Sequence, residues 1–199
     1  MATNMGIGKL GLSQGLFFKR KFIWTFALTG INGGAKAVPP DYVKVASRPN
    51  ISFEETEINY LHGKMYIPGK ATFETVSVTY YDVAPVRADT ILYLYDWIGS
   101  VYDFLSNSDT RANPRMSINA SGPGGYGALG TLTMLDGGRQ NIEMWQMFDC
   151  WPQSVNFGDL DYSSNEEATL ELTLRYQFAK WTNFCGAPAA PGFSPGCGK

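Results

Sequence analysis

The clearest alternation in this chain lies near its C-terminal end. There Ala168, Leu170, Leu172, Leu174 and Tyr176 interleave with Glu167, Thr169, Glu171, Thr173 and Arg175. Successive side chains of a strand point to opposite faces, so period two predicts a strand with one buried and one wet side. Phe22, Trp24, Phe26 and Leu28, alternating with Ile23, Thr25, Ala27 and Thr29, predict a first strand. Tyr42 to Ser47 reads as a second strand, and Ile51 to Tyr60 as a third with an acidic side at Glu54, Glu55 and Glu57. The chain then turns at His62-Gly63, and Pro68-Gly69-Lys70 introduces a strand from Thr72 to Tyr81. In that strand Val76, Val78 and Tyr80 share a face with Glu74, opposite Phe73, Thr75, Ser77, Thr79 and Tyr81.

Asp136-Gly137-Gly138 separates two further alternating runs, and Asp-Gly can take the positive φ angles of a tight hairpin. Trp151-Pro152 is expected to break the ladder, because proline has no N–H to give. Only one segment has helical periodicity. It starts near Asp89, a good N-cap, and carries Ile91, Leu94, Tyr95, Ile98, Val101, Tyr102 and Leu105 at three- and four-residue intervals. Such a stripe reads as packing on a sheet rather than as a cofactor site. Asn32-Gly33-Gly34 and Pro39-Pro40 mark a loop, Ser106 to Gly125 is a polar, glycine-rich loop, and after Tyr176 the pattern dissolves. The expected fold is mainly β, a barrel or sandwich of about eight strands with one flanking helix. Residues 1–21 are expected as an N-terminal arm, 22–178 as the β domain and 179–199 as a Pro/Gly-rich extension.

A length of 199 residues suits one such domain. Charged residues make up only 17% and aromatics 14%, which fits a protein that hides much of its surface against partners. The net charge of −2 argues against nucleic-acid binding by charge neutralisation. No apolar run reaches membrane-spanning length, so the chain is expected to be soluble and made in the cytoplasm. Cys150, Cys185 and Cys197 form no CxxC; free thiols in a reducing compartment are expected, with a Cys185–Cys197 disulfide as the alternative.

Catalytic signatures fail on context, and no catalytic residue, metal site or cofactor is expected. Gly122-Pro123-Gly124-Gly125-Tyr126-Gly127 spells the dinucleotide fingerprint, but a loop precedes it and a strand follows, so no helix N-terminus meets a pyrophosphate. Gly69-Lys70 lacks the hydroxyl of a phosphate loop, since Ala71 stands there. His62, the single histidine, falls at a hairpin tip with no nucleophile elbow in the chain. Asp159 and Asp161 read as turn caps rather than calcium ligands.

Two blocks resemble the tail tube protein family of contractile-tailed phages. The first is Pro68-Gly69-Lys70 with Phe73-Glu74, Val76-Ser77-Val78-Thr79 and Tyr80-Tyr81-Asp82. The second runs from Gly130 and Leu135-Asp136 through Trp145, Trp151-Pro152 and Leu160-Asp161-Tyr162-Ser163-Ser164 to Leu170-Glu171-Leu172-Thr173-Leu174-Arg175-Tyr176. The resemblance covers Phe22 to Tyr176; the 106–125 loop and the tail from Ala179 depart from it. It implies a structural subunit of the virion tail, assembled in the host cytoplasm into stacked hexameric rings. Its implied partners are a sheath outside, a tape-measure protein and then genomic DNA in the lumen, and baseplate and tail terminator proteins at the ends. The same fold is similar to type VI secretion ring proteins and bacteriocin tubes, so a secretion or bacteriocin tube is the alternative. A monomeric β-barrel binding protein is a further one.

Contacts between copies are expected on the arm and on the hairpin from Glu54 to Lys70. The arm holds Phe17 and Phe18; the hairpin holds Glu54, Glu55, Glu57, Tyr60, Met65, Tyr66 and Lys70. The apolar members among them are worth roughly 1.5–3 kcal/mol each when covered. The polar side of the last strand, Glu167, Thr169, Glu171, Thr173 and Arg175, is expected to line the lumen.

Overall fold

The computed structural model describes residues 19–31, 36–83, 90–103, 108–109 and 125–184. Twelve strands and one helix follow one another along them. They are β1 (Trp24–Ile31), β2 (Lys36–Val38), β3 (Val43–Ala46), β4 (Ile51–Tyr60), β5 (Gly63–Phe73), β6 (Val76–Tyr81), α1 (Thr90–Val101), β7 (Tyr102–Asp103), β8 (Ser108–Asp109), β9 (Ala128–Leu135), β10 (Asn141–Asn156), β11 (Thr169–Arg175) and β12 (Phe178–Asn183).

Eight of these strands form one antiparallel sheet, in the order β2-β1-β9-β10-β11-β6-β3, with β12 also on β10. The sixteen-residue β10 joins its two halves. Its first part pairs with β9 and β12, and its second part with β11. Alternating residues from both halves meet in one core: Phe26, Leu28, Leu132 and Met147 from one side, Val76, Val78, Leu170, Leu172 and Leu174 from the other. The alternation read in β1, β6 and β11 therefore holds in three dimensions, and the mainly β architecture with one flanking helix is the one observed.

Helix α1 lays Leu94 and Trp97 into this core, and the Trp97 Nε1–H donates to the Tyr126 carbonyl oxygen at 2.6 Å. The buried line is Thr90, Leu94 and Trp97, so the expected stripe is displaced: Tyr95 is exposed and Trp97, left out of it, is central. An indole is apolar over most of its area, and one hydrogen bond satisfies its polar end. Asp89 and Leu105 lie outside the described residues.

Four other expectations are corrected. Trp151-Pro152 does not break the ladder, for Trp151 pairs with Arg175 and Pro152 with Leu174; a bulge follows, and Asp149 just before takes φ 55°. The bend lets one strand serve both halves of the sheet, and the missing proline N–H falls where the pairing is already irregular. Pro68-Gly69-Lys70 lies inside β5, and the chain from Thr72 to Tyr81 is divided at Glu74–Thr75 between β5 and β6. The first strand begins at Trp24, leaving Phe22 exposed. Beyond Tyr176 the chain is ordered as β12, in the same register on β10 as β11, with the Gln177 N–H donating to the Phe148 carbonyl between them.

The loop Asp136–Gln140 joins β9 to β10 as a turn held by one carboxylate. Asp136 Oδ1 accepts from the backbone N–H of Gly138 at 2.8 Å and of Gln140 at 2.7 Å. Its positive φ falls on Arg139, at 63°, rather than on either glycine.

Candidate assembly surfaces

Strands β4 and β5 form a sheet of their own, joined by a turn at Leu61 and His62. Every residue in the two strands except Phe73 is exposed. Leu61 supplies the left-handed residue of the turn, at φ 51°, and Glu74 N–H donates to the Asn50 carbonyl at 3.0 Å to close the base. Phe53 pairs with Ala71 and Glu55 with Pro68, so β5 carries one extra residue there. Gly69 occupies that bulge, where a Cβ would come within 3.0 Å of the Glu54 carbonyl oxygen.

The register decides which side chains share a face. Ile58 faces Met65 and Thr56 faces Ile67, which places Ile58, Tyr60, Met65 and Ile67 together. Tyr66 lies on the other side, opposite Glu57, whose carboxylate pairs with Lys64 at 2.8 Å. Glu54, Glu55 and Lys70 make no ion pair among the described residues. The hairpin expected from Glu54 to Lys70 thus unites Tyr60 and Met65 on one apolar face but separates Tyr66 from them. Ile58 and Ile67, absent from the expected set, belong to that face; their alternation within the run could have found them. Phe17 and Phe18 lie outside the described residues.

On the outer face of β11 stand Thr169, Glu171, Thr173 and Arg175, while Leu170, Leu172 and Leu174 are buried. Glu167 is not on this strand but on the loop leading into it. That loop, residues 157–168, is turned by its own side chains. Asp161 Oδ1 accepts from the Ser163 N–H at 2.8 Å, as expected of a turn cap, and the Ser163 N–H and hydroxyl together hold its carboxyl below the ordinary aspartate range. No group of three or more metal-ligating side chains occurs among the described residues.

No protein-family model matches the sequence, and no curated protein matches it. Solved structures do. The tube-terminating cap of the anti-feeding prophage superposes with a TM-score of 0.59 at 15% identity, over 84% of this chain and 93% of that one. The sheath-tube complex of an extracellular contractile injection system, PVC, in its extended state gives 0.59 at 14% identity, over 89% and 98%. The fold is that of the tail tube proteins. The SPP1 tail tube, at a TM-score of 0.50 and 11% identity over 83% of this chain and 80% of that one, has it too.

Proposed function

We propose that this chain is a structural, non-enzymatic subunit that assembles with itself into hexameric rings stacked as a phage tail tube. The observation that carries the reading is the β4–β5 hairpin, a projecting sheet that exposes Ile58, Tyr60, Met65 and Ile67 on one face. A monomer gains nothing from that face in water, whereas a neighbouring copy covering it gains about 25 cal/mol per Å² of apolar area. The likeness to tube and cap chains over most of their length supports the same reading. On it, a sheath encloses the tube, a tape-measure protein and then genomic DNA occupy the lumen, and baseplate and terminator proteins close the ends. The tube belongs to the virion tail and assembles in the host cytoplasm.

In this assembly the hairpin, with Glu54, Glu55, Glu57, Tyr60, Met65, Tyr66 and Lys70, and the arm with Phe17 and Phe18 carry the subunit and ring contacts. The outer face of β11, with Thr169, Glu171, Thr173 and Arg175, lines the lumen, and Glu167 stands at its margin. A wall without excess cations lets DNA slide, since only a basic surface neutralises phosphates and displaces their condensed counterions into solution. Negative-stain images and sedimentation of the purified chain test the proposal. Rings or tubes with six-fold averages are expected; a persistent 21.9 kDa monomer at every concentration overturns it.

A tube of a phage-like secretion or bacteriocin particle is the second reading. It is favoured by the higher TM-scores with injection-system chains, 0.59 against 0.50 for the phage tail tube. Neighbouring genes distinguish the two: capsid genes for a phage, effector genes for an injection particle.

A further inference from the structure

Between the edge strand β3 and the start of β1 opens a cleft of about 540 Å³. Trp24, Val45, Leu132 and Met134 give it apolar walls, and Lys19, Lys21, Lys44 and Arg48 line it with positive charge. Lys19 and Arg48 share one carboxylate, the buried Glu143. Lys21 and Lys44 make no ion pair among the described residues, and Lys44 lies 5.4 Å from the centre of the Tyr81 ring. The cleft therefore keeps a positive excess beside a half-open apolar surface, on which Val45 is 54% exposed.

The loop from Phe157 to Ala168 has the opposite character. It carries Asp159, Asp161, Glu166 and Glu167, and contains no lysine or arginine. Leu160 and Tyr162 protrude from it, at 89% and 112% exposure. Its shape is set from within: Asn156 Oδ1 accepts from the Gly158 N–H at 3.1 Å, and Ser164 Oγ accepts from the Glu166 N–H at 3.2 Å. A loop already held in one form loses little entropy on docking, and exposed aromatic side chains are the usual anchors of such contacts.

We propose that this loop seats Leu160 and Tyr162 in the cleft of a neighbouring copy, with its carboxylates against Lys21 and Lys44. The inference rests on the tube reading above. Opposite charge and matching apolar character select a second copy as the occupant. The first 18 residues of the chain, which lead directly to Lys19, contain no carboxylate side chain to supply the complement. The loop joins β10 to β11, whereas the cleft lies beyond β6 at the β3 edge, so one molecule carries the two halves of the contact at different places. Such a contact is head-to-tail, the kind that closes a ring or continues a filament.

A charge-swap series on the full chain, read by sedimentation and negative-stain microscopy, tests the docking. Reversing the loop (Asp159→Lys with Glu166→Lys) or the cleft (Lys21→Glu with Lys44→Glu) lowers the assembled fraction about tenfold or more at low salt. All four changes together restore it. Tyr162→Ala lowers it as well, but with a loss that salt does not relieve, because an apolar anchor is not screened. Circular dichroism establishes that each variant folds. If the unaltered chain builds tubes and a reversed variant builds them equally well, or the fourfold variant stays dispersed, the docking is wrong and the tube reading stands. If the unaltered chain never assembles, the tube reading falls and the docking falls with it.

Discussion

Phe178 stacks on Phe148, with ring centroids 4.7 Å apart and planes 15° from parallel. Three residues further along the same pair of strands, Trp181 meets Trp145 at 6.4 Å. These two aromatic pairs clamp β12 to β10 and explain why the chain stays ordered after its periodic apolar pattern ends. Phe178→Ala should lower unfolding stability by about 1 kcal/mol, the worth of an aromatic pair on a half-exposed face. Urea titration followed by tryptophan fluorescence measures it; an unchanged midpoint would mean that the stacking holds nothing.

The hairpin face is exposed in the single chain, so altering it should leave the barrel alone. Ile58→Lys with Met65→Lys is expected to keep the melting temperature, within about 0.5 kcal/mol of stability. The same variant should fail to build tubes under conditions where the unaltered chain does. Normal tube yield from it removes the hairpin from the contact.

Gly158 has φ +75°, and a Cβ there would sit 2.5 Å from the Thr169 carbonyl oxygen. Both the left-handed backbone and the close approach exclude a side chain. Gly158→Ala should destabilise the fold by about 1–3 kcal/mol and disturb the loop that carries Tyr162. A melting curve checks the first effect, and equal stability would mean that the loop relaxes freely.

Burial pushes the Cys150 thiol up to about 12, with the nearby Asp149 carboxylate adding to the rise and a hydrogen bond from the Gly130 backbone opposing it. Burial likewise raises Tyr176 to about 12 and pushes Tyr80 further. The unfolded chain ionises these groups first, so their contribution is complete below the ordinary thiol and phenol values and is lost as pH rises through the folded ones. Stability should hold to about pH 8 and then fall towards pH 12, by up to about 1.4 kcal/mol per pH unit for the buried Cys150 thiol and by less for Tyr176. Denaturant midpoints across that range test it. At pH 8 the folded chain should also leave Cys150 unmodified by a thiol reagent that reacts at once after unfolding.

Glu171 tests the lumen assignment. Glu171→Lys leaves the buried leucines of β11 untouched, so tubes should form normally while genome ejection slows. Normal infectivity of that variant, or a tube structure with Glu171 on the outer wall, sinks the assignment.

The order of residues alone marks the strands whose faces differ most in polarity. Leu170, Leu172 and Leu174 could be read inward from alternation alone, and Val76, Val78 and Tyr80 as sharing one face, since a one-residue slip would drown the whole set. It also determined the hairpin around His62 and the turn cap at Asp161, because both follow from bonds between near neighbours in the chain. The rest arises only in the folded sheet. Trp151-Pro152 looked like a break, yet β10 runs through it, for only the folded sheet shows that one strand changes partners there. Phe178 and Trp181 looked like tail residues until β10 brought Phe148 and Trp145 beneath them. Ile58 and Tyr60 read as part of a strand from sequence and Met65 only as part of a hairpin, but whether that hairpin packs inward or projects depends on which sheet accepts it. The cleft joins Lys19 and Lys21 to Lys44 and Arg48 across more than twenty residues of chain, and no local pattern records that meeting. Polarity along a strand is a local property, whereas strand order and edge placement arise from contacts between distant segments.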